Sequence, residues 1–262
     1  MSQDEQIVEK TDLVIQGPIT THTLPAIERL GDYLELFENV IFSTWDTSEL
    51  SEEFINECKE KIKSHDLTYT ETTLPDRDSV KTLNGANKRG TFLYSVVSTH
   101  AGLKKATSPF CIKMRSDEFY GDFRTMLKQM HLNKENMVCG NIFHRSSYRH
   151  NFHIGDHVFG AQTKYLKSAY NFLIEKYFSC ESLQADESWV SGNSGISAEV
   201  ILSRAYMRSV ILGSSPPKSL SNDWGSYEFA DFFDVIDINT LGEYQARHGH
   251  KNTTYTHTKN KF

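Results

Sequence analysis

The segment FCIKMR (110–115) has the alternating pattern typical of an interior strand. Its last residue, Arg115, begins the largely charged sequence Arg115-Ser116-Asp117-Glu118. A carboxylate at the end of such a strand can hold Mg²⁺ or Mn²⁺, because these hard cations prefer carboxylate oxygens and often share them with substrate phosphates. Asp117 is therefore a candidate metal ligand, and Arg115 and Ser116 are candidates for binding the phosphates. Two alternatives stay open: Asp117 caps a turn, or it pairs with Arg115.

A second acidic pair, Asp186-Glu187, lies in the segment LQADESW. Either carboxylate is a candidate general base that accepts a proton from an attacking hydroxyl. The alternative is an acidic pair at a helix N-terminus, where the helix dipole stabilises negative charge. Asp156, in the segment IGDHV, is a candidate for binding the acceptor or for the role of base itself.

Two other predicted strands also end in polar or special residues, Gln16-Gly17-Pro18 and Trp45-Asp46. In an open α/β sheet, ligands bind outside the carboxyl ends of the strands. A tryptophan can stack on a nucleotide base and an aspartate can bind ribose hydroxyls, so these residues are candidates for nucleotide binding. For Gly17-Pro18, a simple turn is the alternative.

A predicted helix beginning near Ala86 opens with Asn87, Lys88 and Arg89. Arg89 lies three residues before Phe92, near the helix face that packs on the sheet. An arginine there could bind a phosphate through two hydrogen bonds, assisted by the partial positive charge of the helix N-terminus. Asn87 and Arg89 therefore join the candidates, and a surface arginine at a helix end is the alternative.

The spacing of the apolar residues predicts elements that bring these strand ends together. Strands and helices alternate in the first part of the chain, which argues for parallel βαβ units. The predicted strands lie at about 12–16, 39–45, 67–72, 110–115 and 137–143. The predicted helices lie at about 24–37, 53–63, 86–106, 163–178 and within 186–207, with a short helix capped by Asp122. The fold class is therefore α/β, as a single domain (1–262) with a mainly parallel central sheet flanked by helices.

The composition disfavours several classes of protein. The formal charge is −6, with 28 Lys and Arg against 34 Asp and Glu, so the chain lacks the basic footprint of a general nucleic-acid binder. The absence of a G-x-x-x-x-G-K-[ST] or G-x-G-x-x-G motif disfavours a phosphate-loop NTPase and a dinucleotide dehydrogenase. No apolar run approaches the ~20 residues that cross a bilayer, and the polar start MSQDEQIVEK is unlike a signal peptide.

Cysteine and histidine spacing does not indicate a zinc site. The cysteines form no C-x-x-C pair and are expected to be reduced, structural thiols of a cytoplasmic protein: Cys58, Cys111, Cys139 and Cys180. The histidines match neither H-E-x-x-H nor a C₂H₂ pattern and are expected to be solvated or hydrogen-bonded in loops: His144, His150, His153, His157, His248 and His250.

Several collinear segments carry a resemblance to a known family. They are IQGPI (15–19), FSTWD (42–46), the N-x-R helix leading through STHAGL (98–103), KMRSDEF (113–119) and FHIGDHVFG (152–160). In this order they resemble the WavE-type lipopolysaccharide-synthesis family, which in turn resembles glycosyltransferases of the GT-A fold.

The resemblance implies a sugar-nucleotide-dependent glycosyltransferase that moves a sugar to a glycan or glycolipid hydroxyl in surface polysaccharide synthesis. It implies that RSD stands where the family has its D-x-D motif, with Asp117 as the position that binds Mn²⁺ or Mg²⁺ and Arg115 in place of the first acid. Residues of about 12–118 would bind the donor, those of about 119–262 would shape the acceptor side, and His250 would reach the metal. It also implies peripheral association with a membrane through the acceptor, without a transmembrane segment or a nucleic-acid partner.

Two other functions stay open at this point. A nucleotidyltransferase acting on sugar phosphates would use the same sheet and metal, but it usually has a loop rich in Gly and Arg or Lys after the first strand, where this chain has GPITTHT. A non-catalytic glycan-assembly protein with a decayed site would also accommodate an arginine at position 115.

Overall fold

The computed structural model describes residues 9–31, 33–45, 50–74, 90–141, 152–178, 198–213, 228–242 and 244–246. The strands are β1 (Thr11–Gln16), β2 (Asn39–Trp45), β3 (Thr68–Thr72), β4 (Phe110–Arg115), β5 (Glu118–Tyr120), β6 (Met137–Gly140), β7 (Phe159–Gln162), β8 (Phe233–Ile236) and β9 (Tyr244–Ala246). The α-helices are α1 (Thr23–Leu30), α2 (Glu52–Ser64), α3 (Gly90–Lys105), α4 (Arg124–Leu132), α5 (Thr163–Phe178) and α6 (Ala198–Ile211). Short 3₁₀ helices span Leu34–Leu36, Phe229–Asp231 and Ile238–Leu241.

The main sheet of the described residues has seven strands in the order β3-β2-β1-β4-β7-β6-β8, and β5 pairs with β9 in a separate two-stranded sheet. β1 is parallel to β2 and β4, β2 to β3, and β6 to β8, whereas β7 is antiparallel to both of its neighbours. The predicted α/β class with a mainly parallel sheet is confirmed. Because the chain passes from β1 to β2 and β3 on one side and then to β4 on the other, the strand order reverses between β1 and β4.

The core lies in two layers, one on each face of this sheet. Successive side chains of a strand point to opposite faces, so Leu13 and Ile15 of β1 pack into one layer and Val14 into the other. Buried residues of α1, α2 and α4 complete the first layer, and those of α3, α5 and α6 complete the second. Each central strand is therefore covered on both faces, and its carboxyl end is the part left to meet a ligand.

Several predicted element boundaries are corrected by the structure. The helix predicted over 24–37 ends at Leu30, although Gly31 still has helical dihedral angles, and only a short 3₁₀ turn follows at Leu34–Leu36. The strand predicted to reach residue 143 ends at Gly140. The helix predicted at Asp122 begins at Arg124, whose backbone N–H is accepted by the Asp122 carboxylate at 3.0 Å. Helix α6 extends beyond the region predicted within 186–207.

The cysteine environments agree with a structural role. Cys58, Cys111 and Cys139 are buried free thiols. Burial raises the pKa of Cys58 to about 11 and that of Cys139 to about 12, so both thiols stay protonated near neutral pH. None of the described helices combines the length and the apolar character needed to cross a membrane.

Candidate functional site

The carboxyl ends of β1, β2 and β4 meet where the strand order reverses. Gln16, the last residue of β1, lies opposite Ser43 of β2 on one side and Arg115 of β4 on the other. Ligands of open α/β sheets bind in the crevice outside such a reversal. The fold therefore brings the candidate segments around Gln16, Trp45 and Arg115 to one edge, as the sequence predicts.

Gly17 and Ser116 tie the first and fourth strands together at this edge. The Ser116 backbone N–H donates to the Gln16 carbonyl at 2.9 Å, and its hydroxyl donates to the Pro18 carbonyl at 2.7 Å. Gly17 has a φ of +146°, and a Cβ built on it would lie 2.4 Å from the Ser116 Oγ. The simple turn left open at Gly17-Pro18 is therefore also the place where the two strand ends approach most closely.

Replacing Gly17 with alanine should destabilise the fold by about 1–3 kcal/mol, because the new Cβ needs a strained backbone and displaces the Ser116 hydroxyl. The free energy of unfolding in urea measures the effect. Gly31→Ala is the matched control, since its φ is −52° and its Cβ would meet nothing closer than 3.9 Å. Equal stability of the two variants would contradict the close approach at Gly17.

Arg115 and Asp117 form a two-pronged ion pair. The Arg115 Nε donates to the Asp117 Oδ1 and its Nη2 to the Oδ2, both at 2.9 Å. Burial lowers the pKa of Arg115, but the hydrogen bonds to Asp117 and the negative charge of Glu118 outweigh it, and the net pKa is raised. The alternative in which Asp117 pairs with Arg115 therefore describes this structure. A residue that follows the end of a strand is expected from the sequence to be partly exposed, and this expectation is wrong for Asp117, which is only 4% exposed.

Glu118 is buried and has partners of its own. Its carboxylate accepts the Tyr120 hydroxyl at 2.7 Å and contacts the His157 Nδ1, and the Arg115 Nε lies 3.5 Å away. Burial lowers the pKa of His157, but the charge of Glu118 and the hydrogen bond to it raise the pKa by more. His157 therefore gains positive charge more readily than an ordinary histidine.

Asp156 and Lys113 occupy the same charged group. The Lys113 Nζ donates to the Asp156 backbone carbonyl at 2.6 Å, and burial lowers the pKa of this lysine to about 8. Burial raises the pKa of the Asp156 carboxyl, but the charges of His157, Lys113 and Arg115 outweigh it and lower the net pKa. Asp156 is therefore ionised near neutral pH, and its side chain is 25% exposed, so it can meet a ligand.

Trp45 ends β2 beside helix α3. Its ring centroid lies 5.9 Å from that of Tyr94 at a tilt of 54°, and its side chain is half-buried. The Gln16 amide oxygen accepts the Ser95 hydroxyl at 3.1 Å. The first turns of the described part of α3 therefore support both residues from one face of the sheet.

The donor atoms at the end of β4 suit a hard divalent cation in type but not in their present pairing. Asp117 and Glu118 offer carboxylate oxygens, and Mg²⁺ is commonly held by one or two carboxylates together with substrate phosphates. However, both oxygens of Asp117 accept hydrogen bonds from Arg115, and the Glu118 carboxylate is already in contact with Tyr120 and His157. Among the described residues, no group of three or more His, Cys, Asp or Glu side chains could hold a metal ion. In this arrangement Asp117 could serve as a ligand only if Arg115 released it and other groups, such as substrate phosphates, supplied the remaining ligands.

The structure places all eight of the candidates that it describes near this edge. Those at the shared edge are Gln16, Gly17, Pro18, Trp45, Arg115, Ser116, Asp117 and Asp156. Six candidates lie outside the described residues: Asp46, Asn87, Arg89, Asp186, Glu187 and His250. Their roles stay predictions.

The sequence interpretation did not assign roles to Lys113, Glu118, Tyr120 and His157 in this group. Lys113 is only 1% exposed, which is unusual for a lysine. Lys113 stands two residues before Arg115 in a strand, so the period of two puts both side chains on one face. That period could have identified Lys113 as a neighbour of Arg115. His157 is adjacent to Asp156, but its contact with Glu118 joins residues 39 positions apart, and no local pattern indicates it.

No protein-family model matches the sequence, and no curated protein sequence matches it. Several solved glycosyltransferases are similar in structure. Glucosyl-3-phosphoglycerate synthase from Mycobacterium tuberculosis, solved with Mn²⁺, UDP and glucosyl-3-phosphoglycerate, is 9% identical, with a TM-score of 0.45 over 91% of this chain and 72% of that chain. The mannosyltransferase PcManGT from Pyrobaculum calidifontis, solved with GDP-Man and Mn²⁺, is 12% identical, with a TM-score of 0.39 over 61% and 46%. The glycosyltransferase GlyE from Streptococcus pneumoniae is 9% identical, with a TM-score of 0.43 over 87% and 46%.

This chain spans 58% of another structure of the Mycobacterium tuberculosis synthase and 46% of the other two proteins. At these identities and TM-scores, the similarity does not identify a substrate, a metal or an activity for this chain. The resemblance to the WavE-type family stays a prediction.

Proposed function

We propose that this protein is a GT-A-type glycosyltransferase that moves a sugar from a nucleotide-activated donor to a glycan or glycolipid hydroxyl. The observation that carries the proposal is the group of buried charges at the reversal of strand order, where β1 and β4 end. The WavE-type resemblance extends the proposal to lipopolysaccharide or other surface polysaccharide synthesis at the cytoplasmic side of a membrane. The protein would then associate peripherally with the membrane by binding its acceptor.

On the donor side, we assign the diphosphate to Arg115 and the base to Trp45. The Arg115 guanidinium is held at the sheet edge by Asp117, and the Arg115 side chain is 34% exposed, so it is accessible to a ligand. An arginine binds phosphate oxygens through two parallel hydrogen bonds. Asp46, Asn87 and Arg89 are proposed to complete the donor site on the strength of the sequence.

Asp117 is the proposed ligand of Mn²⁺ or Mg²⁺, with His250 of the C-terminal tail as a second ligand. When bound, the ion supplies positive charge that stabilises the departing nucleoside diphosphate. The chain itself has −6 formal charge, so an anionic donor benefits from every local cation. Arg115, Lys113 and His157 provide positive charge within the described site.

On the acceptor side, Asp156 is the base candidate that lies within the described residues. It is ionised, partly exposed and held through its own backbone carbonyl by Lys113. A carboxylate with these properties can accept the proton of an attacking hydroxyl. Asp186 and Glu187 remain candidates for the same step from the sequence.

The deciding experiment is incubation of the protein with a panel of nucleotide sugars and Mn²⁺, with detection of slow donor hydrolysis. Release of a nucleoside diphosphate from one donor supports a glycosyltransferase and names the donor. Release of pyrophosphate from a nucleoside triphosphate and a sugar phosphate would instead indicate a nucleotidyltransferase. Binding of a glycan without turnover of any donor would indicate the non-catalytic alternative, which the Arg115–Asp117 pair keeps open.

Replacing Trp45 with alanine should weaken binding of the cognate nucleoside diphosphate by about 5- to 150-fold, because base stacking on an aromatic ring contributes ~1–3 kcal/mol. Isothermal titration calorimetry measures the change. Trp45→Phe keeps an aromatic face and should retain most of the affinity. Wild-type affinity in the alanine variant would remove Trp45 from the donor site.

A further inference from the structure

We propose that the nucleotide controls metal binding in this protein, because Arg115 and the divalent cation compete for Asp117. Without a nucleotide, the guanidinium occupies both carboxylate oxygens and keeps the ion out. A nucleoside diphosphate draws Arg115 onto its own phosphates and frees the carboxylate for the metal. This inference rests on the proposed function, since it requires a diphosphate at the end of β4.

The pairing of oxygens is the first argument. Both Asp117 oxygens accept hydrogen bonds from Arg115 at 2.9 Å, and a hydrogen bond to a charged group is stronger than a neutral one. Each oxygen keeps a second lone pair, but a cation bound there would lie beside the positively charged guanidinium, so binding of the ion favours displacement of Arg115. Without a diphosphate, no ligand at the site offers Arg115 hydrogen bonds in place of those to Asp117.

The balance of charge is the second argument. The group contains two cations, Lys113 and Arg115, and three carboxylates, those of Asp117, Glu118 and Asp156. A divalent ion added alone would leave excess positive charge in a buried environment, which is unfavourable. A diphosphate brings the negative charge that offsets the ion, so the two are expected to bind together.

The mobility of the partners is the third argument. The Arg115 side chain is 34% exposed, whereas that of Asp117 is 3% exposed. The arginine can therefore turn toward the crevice while the aspartate stays in place. Besides the Arg115 Nε at 3.5 Å, Glu118 has two further partners in Tyr120 and His157, which would remain if Arg115 moved. The exchange needs the movement of one long side chain.

Mn²⁺ binding, measured by the electron paramagnetic resonance signal of the free ion, tests the proposal without any activity assay. The titration uses wild type and Arg115→Gln, each alone and with UDP, GDP, ADP or CDP. In wild type, the cognate nucleotide should tighten Mn²⁺ binding at least about tenfold, the order of effect for one charge-assisted hydrogen bond. Arg115→Gln should bind Mn²⁺ at least about tenfold more tightly than wild type in the absence of nucleotide.

Three controls fix the interpretation. Arg124→Gln removes an exposed arginine that pairs with Asp122 and should leave Mn²⁺ binding unchanged. Adding Asp117→Asn to Arg115→Gln should abolish the gain, which assigns it to the Asp117 carboxylate. Arg115→Lys keeps the charge without the two-pronged geometry and should give an intermediate affinity, and it serves as the test if the glutamine variant does not fold.

The proposal is overturned if Arg115→Gln binds Mn²⁺ no more tightly than wild type, or if the gain survives the loss of Asp117. It is also overturned if wild type binds Mn²⁺ equally well with and without a nucleotide that it binds. Failure to bind any nucleoside diphosphate would instead contradict the proposed function. Even then, comparing the Mn²⁺ affinities of wild type and Arg115→Gln without nucleotide would test whether Arg115 competes with the ion for Asp117.

Discussion

Replacing Asp156 with asparagine should lower the rate of sugar transfer by about 10²–10⁴-fold while leaving donor binding nearly intact, if this residue is the general base. Asparagine has almost the same size but cannot accept the proton. The Asp156 backbone carbonyl still accepts from Lys113, so the local structure should persist. Steady-state transfer rates and donor affinity by calorimetry together measure the effect.

Asp186→Asn and Glu187→Gln belong in the same experiment, because either residue is an alternative base. One of the three variants should show the large loss of turnover with nearly unchanged donor affinity. Asp122→Asn is the matched control, since Asp122 is a carboxylate with a 34% exposed side chain that pairs with Arg124 outside the site. Near-normal turnover in all three variants would remove each of these carboxylates from the proton-transfer step.

The arrangement of the site explains why its location could be predicted from the sequence. The strands β1, β2 and β4 are short apolar runs that end in polar residues, and parallel strands place such ends at one edge. Gly17 and Ser116 were candidates as parts of separate motifs. Their mutual contact follows only from the pairing of β1 with β4, which no local pattern indicates.

The charges within the site were less predictable, because they depend on burial and on contacts between distant segments. The pairing of Arg115 with Asp117 was an open alternative, since the two residues are only two positions apart, Arg115 at the end of β4 and Asp117 in the turn that follows it. The burial of Lys113 requires the cover of the face on which α3, α5 and α6 pack. The contact between Glu118 and His157 requires β7 to return antiparallel beside β4.

The fold raises the expected stability cost of changing Asp117. The sequence alone predicts a partly exposed residue at the end of a strand, whose replacement costs little stability. In the structure Asp117 is buried and holds the Arg115 guanidinium through two bonds. We expect Asp117→Asn to lower the free energy of unfolding by about 1–3 kcal/mol, less than for a fully buried pair because water also reaches Arg115.

Asp117→Asn should also abolish metal-dependent donor binding, and this is the second large effect expected. Asparagine keeps the size and one acceptor oxygen but loses the formal charge that holds a divalent ion. Without the ion, the developing charge of the leaving diphosphate loses its main stabilisation, and turnover should fall by orders of magnitude. Calorimetry of wild type and variant with the cognate nucleotide sugar, in Mn²⁺ and in chelator, measures the metal-dependent part of the affinity.

Asp122→Asn serves again as the control, and unfolding in urea separates loss of the metal from loss of the fold. Donor binding that is equally tight in chelator, together with full turnover in wild type, would show that Asp117 is not a metal ligand. Asp117 would then act on Arg115 alone, holding the guanidinium at the end of β4 by the two bonds seen here. In that case Arg115 would carry the diphosphate charge without a metal, and Arg115→Gln should reduce donor affinity as strongly as Asp117→Asn reduces it.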